Sequence, residues 1–409
     1  MTTETIHDFV AKLRSPAIHG RVIDAMAAGQ TRELNDGSLA DVFVSRLHSV
    51  GGPFSINLDV TTACNYRCAH CIDADILNTG DRFFMRDLLR SLVILRLAGL
   101  RSVILIGGGE PSVHTQFRAI VRAIKSLGLD CGIATNGGNT RRIAEVLPFL
   151  GSRDWIRFSL DSATDETFRR MHLPGRKSTT LQSICAAVPA MKASHPDISF
   201  GFSYIIVHEG CTVGGRKLCA NVHEIAAAAA LAKRFRFDYL SLKPLLDRDP
   251  GGAETVAGKT STERQATLVE IARQITLARE LEDERFRVFP SANLATLLQE
   301  KSVAHLGNQP RRCHMRLFRQ VLTPIGVYGC PVYRANTKDQ IGTAAEYTSV
   351  AGFLRNRRRV FELREKFNAT HECQNVSCLY NSANWWLESL ETTTSPPAAG
   401  DLPRSDFFF

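Results

Sequence analysis

Cys64, Cys68 and Cys71 stand in the run Cys64-Asn65-Tyr66-Arg67-Cys68-Ala69-His70-Cys71, a C-x3-C-x2-C spacing that gathers three thiols into one tight loop. Three thiolates are one short of a closed zinc site, and they suit three corners of an iron-sulfur cube, which leaves one iron open to a small ligand. Zinc with a fourth ligand from elsewhere in the chain is the competing reading of the same spacing. Upstream, Phe54, Ile56, Leu58 and Val60 alternate with Ser55, Asn57 and Asp59, which predicts a period-2 strand delivering the cysteines at its C-terminal end. Downstream, residues 83–97 predict a helix, and Val103-Ile104-Leu105-Ile106 a second strand running into Gly107-Gly108-Gly109-Glu110-Pro111. The glycines by themselves would suit any tight strand-to-helix connection.

The same alternation continues. Strand patterns at 131–135, 155–160, 198–207 and 239–242 are separated by helical patterns at 140–150, two pieces through 191, and 223–235. Six βα units between residues 51 and 249 imply a parallel sheet with helices on its faces. Pattern alone admits either a doubly wound sheet or a barrel.

The cysteine loop after the first strand and the Gly-Gly-Glu turn after the second together resemble the radical S-adenosylmethionine (SAM) superfamily. The resemblance implies an α/β fold with a partial (β/α)6 TIM-like barrel, whose strand C-termini gather the chemistry on one face.

Residues 1–50 form a mostly helical segment, with apolar positions such as Phe9, Val10, Leu13, Val22, Ile23, Met26, Leu39, Val42, Phe43 and Leu47. They do not look like the β-rich leader-binding module that many peptide-modifying members of the superfamily carry. Residues 250–308 open on the turn-like Asp249-Pro250-Gly251-Gly252 and continue as helices near 262–281 and 294–301, a linker that closes the barrel. Residues 309–390 hold a second set, Cys313, Cys330, Cys373 and Cys378, with a hairpin at 316–323 and 327–328 around Pro324-Ile325-Gly326 and a helix at 350–367. This small α+β domain resembles the twitch and SPASM domains that hold auxiliary clusters. It has cysteines for one cluster where a full SPASM domain has two, so the twitch form fits better; a four-cysteine zinc site is the alternative. The tail, 391–409, reads as disordered, although Phe407-Phe408-Phe409 could dock on an apolar groove.

Eleven cysteines without a secretory signal argue for metal ligation over disulfides and for the cytoplasm. No apolar run reaches the length of a membrane span. The formal charge of +9 suits anionic ligands, but the densest basic run, Arg355-Asn356-Arg357-Arg358-Arg359, lies in a helical pattern without interleaved aromatics. It reads as a solvated face, so nucleic acid is not the expected partner.

The resemblance implies two 4Fe-4S clusters, one SAM-binding at Cys64, Cys68 and Cys71 and one auxiliary, together with SAM, an electron donor such as flavodoxin or ferredoxin, and a 5′-deoxyadenosyl radical that abstracts hydrogen from a substrate. Gly108 and Gly109 would let SAM approach the backbone, Glu110 would accept from its ammonium, and His70 takes the position of an aromatic residue beside the adenine. Asn136, Ser159 and Asp161 match positions that contact ribose or carboxylate; Asn136 equally suits a turn and Asp161 a helix cap. A basic partner for the carboxylate is expected among Arg169, Arg170 and Arg176. The expected function is dehydrogenation or epimerisation of a small polar metabolite such as a sugar, cyclitol or amino-acid derivative in natural-product biosynthesis. Epimerisation needs a hydrogen donor, for which Cys211, after the fifth strand, is the candidate and Cys219 the reserve; Cys131 and Cys185 read as buried hydrophobes. The alternative is a maturase that oxidises or crosslinks a ribosomally made peptide.

Overall fold

A computed structural model describes residues 8–31, 47, 50–176, 178–248, 254–256, 261–298, 307–376, 378–393, 398–400 and 406–409. The helical positions Leu39, Val42 and Phe43 and the turn Asp249-Pro250-Gly251-Gly252 expected from the sequence lie outside the described residues.

Six parallel strands carry the core: β1 Ser55–Leu58, β2 Ser102–Leu105, β3 Asp130–Thr135, β4 Trp155–Ser159, β5 Ser199–Ile206 and β6 Tyr239–Pro244. Each pairs in parallel with the next in chain order, so the strand order never reverses. A doubly wound sheet requires such a reversal; the consecutive order is that of the partial barrel. The alternation read in β1 does not become a half-exposed strand, because all its residues are buried. In a parallel sheet helices cover one face and the barrel interior the other.

The sheet is longer than six strands. Within the stretch expected to be a helical linker, β7 Arg287–Pro290 follows the helix Ser261–Arg279 and adds in parallel to β6. Four residues ending in proline leave too short a pattern to read from sequence. On the other edge, β8 Arg319–Thr323 pairs in parallel with β1, and the antiparallel strands β9 Gly326–Tyr328 and β10 Gln340–Gly342 complete a ten-stranded sheet. The hairpin is therefore built onto the barrel's first strand, and the helix Val350–Lys366 follows it.

The two faces of the sheet differ in kind. Phe158 and Phe202 meet Phe237 edge-on, with ring centroids 5.9 and 5.4 Å away, on the helix-covered side. The inner side carries Trp155, Arg157 and Ser159 from β4 and Tyr239, Ser241 and Lys243 from β6. Glycines make room there: a Cβ on Gly132 would come 2.3 Å from the Trp155 ring, and one on Gly201 2.2 Å from the Tyr239 ring.

The tail departs from the expectation of disorder. The helix Asn381–Thr392 extends the folded part past residue 390, and Phe408 and Phe409 are buried. Phe408 meets Trp155 edge-on at 5.4 Å, Ser102 Oγ donates to the Phe407 carbonyl at 2.6 Å, and Arg319 Nε donates to the Phe409 carbonyl at 3.0 Å. These partners lie at the starts of β4, β2 and β8, so residues 406–409 pack on the base of the barrel, opposite the cysteine loop. Lys12, from the helix Phe9–Leu13, pairs with Asp406 and donates to the Phe408 carbonyl at 2.8 Å. Aromatic side chains with hydrogen-bonded carbonyls outweigh the entropy of ordering a short segment. Among the described residues no helix is long and apolar enough to cross a membrane.

Candidate active site

The cysteine loop leaves β1 and is anchored at several points. Ala69 N–H donates to the Met171 carbonyl at 2.9 Å, Cys64 N–H to Asn78 Oδ1 at 3.0 Å, and Glu110 N–H to the Ala63 carbonyl at 2.9 Å. Met171 and His172 end the helix Asp165–His172, whose start is capped by Thr164 and whose stop is Leu173 in the left-handed region at φ 46°. Glu224 fixes that helix by accepting from Ala163 N–H, Thr164 Oγ1 and Thr167 Oγ1 at 2.6, 3.0 and 2.6 Å. His172 Nδ1 thereby comes within 3.3 Å of Cys68 Sγ.

The three thiols are partly buried, and burial is the largest cause raising each of their pKa values. Cys71 is pushed up to about 11, and Cys68 is raised further by Cys71 and Cys64 beside it. Burial keeps these thiols protonated, and a cationic metal group would be what draws the protons off as it binds them. Among the described residues no three of these sulfurs lie within 4.8 Å of one another. Thiolates on one tetrahedral zinc, at about 2.3 Å each, would stand about 3.8 Å apart. The thiols are more widely spread than ligands of one zinc ion, and Cys64, Cys68 and Cys71 would hold a metal group at the loop.

The glycine turn is tight for identifiable reasons. Gly107 and Gly108 have φ values of 77° and 62°, and a Cβ on Gly109 would come 2.3 Å from the Ala63 carbonyl oxygen. Under the turn lies Arg334, four residues beyond Cys330 in sequence. Its Nε is 2.9 Å from Asp59 Oδ2, and its Nη1 donates to Asp73 Oδ2 at 2.7 Å. Gly108 N–H donates to the same Asp73 oxygen at 3.2 Å. Burial pushes the Asp59 carboxyl up to about 7, with Arg334 pulling it down and Asp73 pushing it up.

Glu110 is not open to a ligand as expected. Its buried carboxylate accepts from Ser112 N–H and Oγ at 3.0 and 2.5 Å, Thr135 Oγ1 at 2.7 Å and Asn136 N–H at 2.8 Å. It staples the glycine turn to the end of β3, and Asn136 Nδ2 in turn donates to Asn65 Oδ1 at 2.8 Å and lies 3.8 Å from Cys64 Sγ. Asp161 is no helix cap, since Thr164 has that place. It adopts φ 51°, accepts Ile205 N–H at 2.6 Å, and has Oδ2 at 3.1 Å from His70 Nε2 and 3.2 Å from His172 Nε2. Despite burial, the histidines hold its carboxyl well below the ordinary range. His70 is thus joined to Asp161, and Ser159 stands at the inner end of β4.

Cys211 is buried with Met171, Val207, Leu218 and Leu245, with Ala69 of the cysteine loop packed against the same cluster. Its Sγ is 3.0 Å from His208 Nδ1. Cys219 packs beside it, half-buried, while Cys131 and Cys185 are fully buried in the main core. Arg169, Arg170 and Arg176 are exposed. Two cations at inner-face positions, Arg157 and Lys243, were missed by sequence reasoning; a lysine inside the apolar run Tyr239-Leu240-Ser241-Leu242-Lys243-Pro244 was the available signal.

Cys313, Cys330, Cys373 and Cys378 come together around Tyr333, Phe367, Ala369 and Val376. Burial is the largest cause raising Cys330, Cys373 and Cys378, the last to about 12. Buried Arg316 stands among them, its Nη2 2.7 Å from Asp339 Oδ1 and its guanidinium 3.6 Å from the centre of the Phe367 ring. Asn384 Nδ2 reaches within 3.7 Å of Cys313 Sγ. Here too, among the described residues, no three sulfurs lie within 4.8 Å of one another.

Residues 58–208 match the family described as the Radical SAM superfamily. A probable GTP 3′,8-cyclase of Thermococcus kodakarensis is 32% identical over 123 residues, 29% of this chain and 38% of that protein. A GTP 3′,8-cyclase of Marinobacter nauticus is 33% identical over 141 residues, 32% of this chain and 40% of that protein. The chain thus matches about two-fifths of the length of these relatives. Streptococcus suis SuiB bound to S-adenosylmethionine shares the fold at a TM-score of 0.57 and 13% identity, over 94% of this chain and 87% of that one. The same protein bound to its precursor peptide SuiA superposes at 0.56 with 11% identity, over 94% and 88% of the two chains.

Proposed function

From the premise that this chain carries a radical SAM domain, we propose that it abstracts a hydrogen atom from a small polar substrate held on the inner face of the barrel, with dehydrogenation or epimerisation as the outcome. The observation that carries this reading is the arrangement of the two cysteine sets on one sheet. β1 leads into Cys64, Cys68 and Cys71, and its neighbour β8 belongs to the segment that gathers Cys313, Cys330, Cys373 and Cys378.

When bound, a 4Fe-4S cluster with SAM supplies a 5′-deoxyadenosyl radical that can break an unactivated C–H bond. The chain's own residues set the stage. Gly107, Gly108 and Gly109 bare the backbone beside the loop, and Glu110 holds Asn136 against Asn65. Asp161 orients His70 and His172, and His172 supports Cys68. Ser159, Ser203 and Ser241 offer hydroxyls in one row of the inner face, suited to a polar substrate. The auxiliary cysteines favour dehydrogenation, because a second cluster gives the substrate electron a place to go. Epimerisation would call on Cys211.

The relatives named GTP 3′,8-cyclase favour a small molecule over a peptide. SuiB bound to a precursor peptide favours a second reading, a maturase acting on a ribosomally made peptide.

The test is iron and sulfide per chain after anaerobic reconstitution, with 5′-deoxyadenosine release from SAM under a strong reductant. About eight irons in wild type, falling to about four in Cys64→Ala/Cys68→Ala/Cys71→Ala with loss of 5′-deoxyadenosine, support the reading. About four irons in wild type and none in the variant would remove the auxiliary cluster, and absence of 5′-deoxyadenosine would remove the radical chemistry.

A further inference from the structure

Three buried arginines of this fold are paired with acids. Arg316 has Asp339, Arg334 has Asp59 and Asp73, and Arg364 has Glu365 and Glu391. On the inner face, the side chains of half-buried Arg157 and Lys243 have neither hydrogen bond nor ion pair with any described residue, and Arg157 Nε is buried without an acceptor.

The register places both on the inner face. Arg157 stands opposite Gly201 on β5, and Gly201 opposite Tyr239 on β6. Lys243 follows Tyr239 at the same parity, opposite Ile205, toward the end of the barrel where the cysteine loop lies. Because Gly201 has no side chain, the Arg157 and Tyr239 side chains face one another across it, close enough that Arg157 acts electrostatically on the Tyr239 hydroxyl. The Trp155 ring, 5.4 Å from the guanidinium carbon, is a shelf for Arg157.

We infer that Arg157 and Lys243 are an anion-binding pair that takes a carboxylate or phosphate group of the substrate. The inference rests on the radical SAM reading for what is bound, and on the geometry of the inner face for where. Two cations that act on one another across a partly desolvated face are costly, and an oxyanion relieves that cost while filling the guanidinium's free donor edge. The electrostatics agree: burial, then Arg157, push the Lys243 amine down to about 7, against the pull of Asp161. Asp161, the acid acting on Lys243, is already held by His70, His172 and Ile205 N–H. Of the other described acids at inner-face positions, Asp59 at the end of β1 is paired with Arg334 and Asp130 at the start of β3 with Arg153. The cavity is therefore basic on its β4–β6 side. The same chemistry would suit the carboxylate of SAM, and the experiment must separate the two sources.

The full-length, reconstituted protein would be titrated anaerobically with inorganic pyrophosphate and with malonate, at constant ionic strength, with and without saturating SAM. SAM binding would be measured in parallel. Wild type is expected to bind at least one anion saturably in the presence of SAM. Arg157→Met and Lys243→Met should each bind it about tenfold more weakly or worse, with Arg157→Lys in between. SAM affinity should move by less than about threefold. Lys243→Met guards against Arg157→Met failing to fold, and iron content and circular dichroism check both. No saturable binding in wild type, or equal binding in the variants, overturns the proposal. Loss of the anion on adding SAM, with SAM weakened tenfold in the variants, reassigns the pair to the SAM carboxylate and also overturns it. Failure to release 5′-deoxyadenosine would instead strike the radical reading, because anion binding needs no turnover.

Discussion

Arg334 Nε stands 2.9 Å from Asp59 Oδ2, joining the segment of the second cysteine set to the strand that delivers the first. Both groups are buried, and Asp73, on the other side of the guanidinium, accepts from the glycine turn. One arginine thus ties β1, the cysteine loop and the turn together.

Arg334→Met should cost about 3–5 kcal/mol in urea unfolding, because it strands two buried carboxylates. The pH dependence has a definite sign. Asp59 ionises at about 7 in the fold and near 3.8 when unfolded, so its contribution is fully present below 3.8 and is lost as pH rises toward 7. Arg334 pulls that value down, so in the variant it should rise further and the loss of stability extend to higher pH. Parallel stability curves for variant and wild type would refute the coupling.

Asp161→Asn should loosen the first cluster without unfolding the barrel. Asparagine keeps an oxygen for Ile205 N–H but loses the charge that steadies His70 and His172, and His172 supports Cys68. Iron affinity is expected to fall about 10–100-fold, read as faster loss to a chelator, with circular dichroism unchanged. Equal rates of iron loss would show that His172 does not steady Cys68.

Glu110→Gln should lower stability by about 1–3 kcal/mol, since an amide cannot accept from all the donors that converge on the carboxylate. Thermal unfolding measures the loss. The effect on SAM should be a weaker KM through displacement of Asn136, with the cluster's iron content kept.

Phe408→Ala should cost about 3–5 kcal/mol, the range for truncating a buried phenylalanine. A change under about 0.5 kcal/mol would mean that the tail does not seat on Trp155 in solution.

What could be read from the sequence was local. The cysteine loop holds its ligands within eight residues, and β2 through β6 each announce themselves by an apolar run next to a turn. The second cysteine set was legible as a count of thiols, without the register that sets β8 against β1. Arg334 and Asp73 are 261 residues apart, and nothing near either residue signals the pairing. Glu110 was legible as an acid at a glycine turn, but its donors come from β3 and its loop, a matter of tertiary packing. Arg157 and Lys243 needed the parity of two strands fixed before both could be assigned to one face.

Residues 406–409 cap part of the barrel's base. With Phe408 seated on Trp155 at the base, approach to Arg157 and Lys243 is narrowed from that end, which favours entry past the cysteine loop. A substrate held there would lie between the seated tail and the cysteine loop, with folded chain bounding the reaction space at both ends.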